Sequence, residues 1–275
     1  MDCIFKMNSH VHNYYKKIEK KEAGKISFYD VIPLQEDHNT SWKLVQEMAP
    51  QMPKGWFELS RLPEKDRIEF IRSFWLDQLP FIPHNHHQLH EFFNSLDDVG
   101  VFIVQWDKGL SCECEMVYSL KDDSCFYHGA PPISQADAFY LREQMGGHLP
   151  LDYLSFLQIH SGFSKHSDSG LLRAQDIPRI YKKLLKDVVE KDGIIKCRDR
   201  LVDPRDLIPF YESFDSKSFQ CFLTDWYPDA EMGNVFFSLK DHTISDFLDT
   251  VSYSNTLAFR SFLDWLCFYL ESLGV

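Results

Sequence analysis

Apolar residues recur along this chain with two periods, and the places where the period changes divide it into helices and strands. Spacings of three and four predict helices at 41–49, 64–77 and 86–94, the second carrying Ile68, Ile71, Phe74 and Trp75 on one side. Alternation takes over at Val99-Gly-Val-Phe-Ile-Val-Gln-Trp106, which reads as a strand. Asp107-Lys-Gly109 is a turn signal, after which Cys112, Cys114, Met116 and Tyr118 alternate through a second strand and residues 124–128 add a third. An antiparallel meander is the expectation. Residues 1–30 have weak periodicity and predict no firm element, with Lys16 to Lys21 reading as a solvated helix or a loose terminus.

Ala130-Pro-Pro-Ile133 is the clearest punctuation, since two prolines continue neither a strand ladder nor a helix interior. A boundary placed there separates an N-terminal α+β region, 1–130, from a unit spanning 134–275. That unit is expected to hold helices at 134–145, 150–160 and 176–191, and strands near 207–212, 218–225 and 233–240. A closing helix follows, its apolar stripe made by Phe259, Phe262, Leu263, Leu266, Tyr269, Leu270 and Leu273, opposite Arg260, Asp264 and Glu271. The helix within Leu149 to Phe163 has both ends marked. Pro150 fits a first helical position, Asp152 puts negative charge in the first turn, and Gly162 supplies a left-handed stop. Tyr153, Phe156, Leu157 and His160 fall at helical spacing, with Leu151 and Leu154 widening the apolar face, so the helix belongs to a core. The fold class expected is α+β, with helices packed on mixed or antiparallel sheet.

Composition narrows the picture. The 275 residues are 44% hydrophobic and 15% aromatic, enough for a substantial core. Seven cysteines, an odd number without CxxC spacing, indicate neither a disulfide framework nor a paired-cysteine zinc site. No secretory leader or membrane-length apolar run is visible, so a soluble, cytoplasmic protein away from membranes is expected. A net charge of −12 argues against direct nucleic-acid binding, which needs basic patches. The charge is uneven: Asp206 to Val275 holds 11 acidic against 3 basic residues, while Lys165 to Arg205 holds 11 basic against 7 acidic. The acidic end could attract a basic partner or simply solubilise the chain.

Candidate chemistry is sparse. His84-Asn-His-His-Gln-Leu-His90 places His86 and His90 four apart, a spacing zinc sites use, but no HExxH motif occurs and no carboxylate sits between the pair to act as base, and an exposed helix start explains the run as well. Nucleophile elbows and glycine-rich phosphate loops are absent, and no cofactor is implied. Cys112 and Cys114 read as small buried hydrophobes. The segment Asp225-Trp-Tyr-Pro-Asp-Ala-Glu-Met-Gly233 is the preferred contact surface: Asp225, Asp229 and Glu231 supply charge, and Trp226 and Tyr227 supply large aromatic anchors. Its structural alternative is a rigid turn whose aromatics plug the core edge.

Leu149-Pro150, Tyr153, Phe156-Leu157 and Gly162, then Gly170-Leu-Leu172, Leu207-Ile-Pro209, the pattern Phe219 to Phe236 and the closing Leu257 to Leu270 together resemble the SUKH superfamily, over about 134–275. That superfamily includes yeast cell-wall synthesis regulators and many bacterial toxin-immunity proteins. Its members commonly carry Asn-Gly after the first helix, whereas Ser161-Gly162 here keeps the turn glycine and lacks the amide. The resemblance implies a non-catalytic protein-binding module of the immunity type, sequestering a basic toxin or nuclease. The same family makes a regulatory scaffold without a toxin the alternative, and an enzyme or metalloprotein using the histidine cluster a third.

Overall fold

The structure, a computed structural model, describes residues 7–15, 28–123, 125–166, 168–190, 193–197, 200–214, 217–225, 233–245 and 257–271. The fold is α+β. The expected meander is present as β2 (Leu96–Gln105), β3 (Glu113–Leu120) and β4 (Phe126–Gly129), paired antiparallel with Val101 opposite Met116 and Tyr118 opposite Tyr127. Alternation sends Val99, Val101 and Ile103, with Cys114, Met116 and Tyr118, to one face, and Phe102, Val104, Glu115 and Val117 to the other. Edge strand β1 (Asp30–Pro33) joins β2.

The sheet does not stop at the proline pair. β4 pairs with β5 (Phe163–Lys165), which leads through β6 (Gly170–Leu171) to β9 (Leu207–Glu212), β10 (Ser218–Leu223) and β11 (Asn234–Ser238). Beyond them lie β12 (Thr243–Ile244), β7 (Ile195–Cys197) and β8 (Arg200–Val202), while β13 (Ala258–Phe259) pairs with β11, giving a sheet of 13 strands among the described residues. Residues on both sides of the 130–134 punctuation therefore share one sheet and one core.

One face is covered continuously by helices. The expected helices are α2 (Trp42–Met48), α4 (Glu64–Gln78), α5 (Pro83–Asn94), α6 (Gln135–Gln144) and α7 (Leu151–Leu157), with α3 (Lys54–Leu59) an unpredicted addition and α9 (Phe262–Glu271) closing the chain. Trp75 of α4, fully buried, stands edge-on to Phe93, Phe156 and Phe163, tying the first helices to those after the proline pair. A register shift in β2 between Leu96 and Asp98 presents Asp98 to Arg67 of α4 in a two-pronged buried pair at 2.6 and 2.7 Å. Burial dominates that carboxyl and raises its pKa despite the guanidinium.

The marked helix is a core helix with two changes of detail. Pro150 has extended backbone and precedes the helix as its cap position, and Leu151 is 62% exposed, so Leu154 alone widens the face. Asp152 reaches beyond its own helix: one carboxylate oxygen accepts from the Tyr153 N–H at 2.8 Å and the other from Leu263 N–H at the start of α9. Gly162 takes φ of +96°, a conformation that strains a side-chain-bearing residue. In the closing helix the stripe is Phe262, Leu263, Leu266, Tyr269 and Leu270 joined by Trp265, while Phe259 sits in β13 and Leu273 lies outside the described residues.

The opposite face is covered in two separate places. At the β1–β4 end the N-terminal segment docks through α1 (Ser9–Tyr14), with Met7, Val11 and Tyr15 buried against Phe28, Phe102, Val117 and Phe126. Met7, Val11, Tyr15 and Phe28 therefore contribute core, and the expected solvated stretch 16–21 lies outside the described residues. At the other end α8 (Ile177–Val189) lays Leu184 and Val188 on Leu207, Cys221, Val235 and Phe237.

Candidate functional site

Between those two covers, among the described residues, a recess of about 390 Å³ opens on the sheet. Its floor comes from β3, β4, β5 and β9 through Glu115, His128, Ser164 and Glu212, its first wall from Tyr14 and Trp106, and its second from Arg173, Asp176, Arg179 and Ile180. The polar floor follows from strand alternation: Glu115 lies between Cys114 and Met116, and His128 follows Tyr127, so the polar side chains point away from the helical core.

The floor's ionisable groups satisfy one another. His128 Nδ1 lies 3.4 Å from Glu115, its Nε2 faces the His166 carbonyl oxygen at 3.0 Å, and Tyr15 donates its hydroxyl to Glu115. With both ring nitrogens facing acceptors, the site favours the protonated imidazole. Burial alone would lower the His128 pKa, but the Glu115 charge and hydrogen bond outweigh it and raise it. For Glu115 burial alone would raise the pKa, and the charge and bond of His128 with the Tyr15 bond hold it below the ordinary value. Arg173 crosses above Gly162 to meet Glu113 at 2.5 Å. Asp176 meets Arg179 at 3.0 Å, and Asp168 accepts from Tyr211 and Tyr269 at 3.0 and 2.9 Å. Both ring nitrogens of His128 and the carboxylate of Glu115 are thus engaged within the protein, by each other, by the His166 carbonyl and by Tyr15.

A second histidine is buried on the helical side. His160 donates through Nδ1 to the Ala130 carbonyl at 3.0 Å and accepts at Nε2 from the Tyr118 hydroxyl at 2.6 Å, which in turn accepts from Trp75 at 3.1 Å. Gly129 makes room for it, because a Cβ there would stand 2.4 Å from the ring. Burial drives its pKa down to about 3, so it is neutral and structural.

Of the expected contact residues, Asp225 is exposed at the end of β10 and forms an ion pair with Arg200 of β8, whereas Trp226, Tyr227, Asp229 and Glu231 lie outside the described residues. Asp225 is not among the residues lining the recess. In the histidine run, His84 pairs with Asp264 at 2.9 Å and the His86 ring packs on Phe81 at 4.6 Å. Among the described residues no three His, Cys, Asp or Glu side chains are grouped to hold a metal. Cys114 is buried and its thiol is pushed up to about 12, first by burial and then by Glu115 and Glu113, while Cys112 is half-buried beside β3. No helix among the described residues is long and apolar enough to cross a membrane.

The recess itself is absent from the sequence reading. Its signal was the polar half of the alternation in Glu113-Cys-Glu-Met-Val and Phe126-Tyr-His, which marks a face without saying what stands opposite. Compared with known proteins, the chain matches no family model and no curated protein.

Proposed function

We propose that the chain is a non-catalytic protein-binding module of the SUKH-like, immunity type, which holds a basic protein partner on its acidic side. The observation that carries this reading is the recess: a concave polar site whose buried charges are spent on each other can receive a partner's side chains. Its lining places four carboxylates, Glu115, Asp168, Asp176 and Glu212, against two guanidiniums and His128. The C-terminal third adds an excess of 11 acidic over 3 basic residues. Asp225, Asp229 and Glu231 steer the partner, and Trp226 and Tyr227 anchor it. Charges at the rim set the association rate and desolvated aromatics set the lifetime.

The test is isolation of the full chain from its native cell with whatever stays bound, followed by association kinetics of the identified partner at two salt concentrations. The expected partner is basic, and reversal of Asp225, Asp229 and Glu231 to lysine slows association by about tenfold at low salt. An acidic partner, or a rate indifferent to the reversal and to salt, overturns the reading. A basic partner that is not a toxin favours the regulatory-scaffold alternative.

A further inference from the structure

The far end of the sheet has the opposite character to the recess. β8 is the last strand in the sheet order and, among the described residues, pairs only with β7. Beside it a groove of about 600 Å³ runs between α8 and the β7–β8 pair, and three apolar side chains at its rim stand in solvent: Val189 is 64% exposed, Ile194 55% and Leu201 66%. The exposed cations carried by these elements include Lys182, Lys183 and Lys186 of α8, Lys196 of β7, which stands opposite Leu201, and Arg200 of β8, with Arg205 lining the groove itself. Three of these meet acids, Lys186 with Glu190 at 3.6 Å, Arg205 with Asp203 at 2.7 Å, and Arg200 with Asp225. Lys182, Lys183 and Lys196 add positive charge beyond those pairs, on a chain whose total is −12.

We propose that this edge is a second docking surface, taking an extended acidic segment of a partner protein that adds to β8 as a strand and seats an apolar side chain against Val189, Ile194 and Leu201. Strand addition at an open edge obtains affinity from backbone hydrogen bonds and selectivity from alternate side chains, and a groove beside the edge supplies the pocket for one of them. Charge selects the occupant. A second copy of this chain pairing through β8 would bring Lys196 and its neighbours against themselves, which is how edge strands resist self-association. The same lysines attract Asp and Glu on an incoming strand. The groove shares no lining residue with the recess, and of the residues proposed above to steer a basic partner Asp225 borders it through its ion pair with Arg200 of β8.

The experiment uses the full chain and a fluorescein-labelled peptide alternating Glu with Val and Leu, with the Lys-for-Glu peptide as control. Binding is read by anisotropy, and its location by amide hydrogen exchange. The acidic peptide is expected to bind at least about tenfold more tightly than the control and to slow exchange within Arg200–Val202. Leu201→Asp and the pair Lys182→Glu and Lys183→Glu, all at exposed positions, each weaken it by about fivefold or more, while Glu212→Lys in the recess leaves it unchanged. Absence of acidic-peptide binding, equal binding of both peptides, or binding indifferent to Leu201→Asp overturns the proposal. So does binding to phosphatidylserine vesicles or dimerisation through β8 in place of peptide binding.

Discussion

The two faces of this sheet are built from the same strands and do different work. On the helical face, Trp75, Tyr118, Phe156 and Phe163 are each buried to within 1% exposure and join elements before and after the proline pair into one core. On the other face, the cover is two small clusters with a polar recess between them. Both faces carry a buried histidine, and the contrast between those two is instructive. His160, surrounded by apolar rings and bonded to neutral partners, is kept uncharged, whereas His128, against Glu115, is shifted towards its charged form. Alternation along a strand makes this division possible, because neighbouring residues enter different environments.

The comparison is broken most severely on the helical face. Trp75→Ala removes the ring that links both halves of the core and is expected to cost about 4 kcal/mol in a urea titration. A loss below about 1 kcal/mol would mean that this face is not the continuous core described. Next comes His160. Its pKa of about 3 lies below the unfolded value of 6.5, so the unfolded chain takes up the proton first and stability falls as pH drops from 6.5 towards 3. The full span is worth on the order of 5 kcal/mol. His160→Leu leaves the Tyr118 hydroxyl and Ala130 carbonyl without their partner, costs about 3 kcal/mol at pH 7, and flattens that acid limb. An unchanged acid limb in the variant would assign the acid sensitivity elsewhere.

On the recess face the sign of the pH dependence differs. The raised His128 pKa gives stability that is complete below 6.5 and is lost as pH rises through the folded value, while the lowered Glu115 pKa gives stability that is complete above 4.5 and is lost as pH falls through its own. The pair is therefore at full strength between about 4.5 and 6.5. Glu115→Gln removes the counter-charge and is expected to cost about 2 kcal/mol, with the His128 ring titrating at lower pH by NMR. A His128 titration unmoved by this change would contradict the pairing. The smallest effect is at Glu212, half-buried on the recess floor, where Glu212→Lys changes stability by less than about 1 kcal/mol.

Long periodic segments were legible in the sequence, and short ones were not. The spacing of Ile68, Ile71 and Trp75 identifies α4, and alternation identifies β2 and β3, because each repeats its signal over two or more turns or pleats. β5, β6, β7, β8, β12 and β13 have two or three residues each, too few to alternate, and exist through their neighbours. α3 follows Pro53 and contains Gly55, so six residues held by Trp56 and Leu59 read locally as a loop. The N-terminal segment did carry a faint mark, Val11 and Tyr15 four apart, lost beside the lysine-rich run that follows. In the recess, polarity at Glu115 and His128 was visible, but their meeting is a matter of strand register and Arg173 arrives from a different part of the chain.

The most direct test of this division is one variant measured twice. Glu212→Lys with Asp176→Asn, which keeps a residue type favoured at the cap position of α8, should lower the stability of the full chain in a urea titration far less than Trp75→Ala and weaken the proposed basic partner by about tenfold. A loss of stability as large as that of the core substitution, or an undiminished affinity, would contradict the assignment of one face to stability and the other to binding.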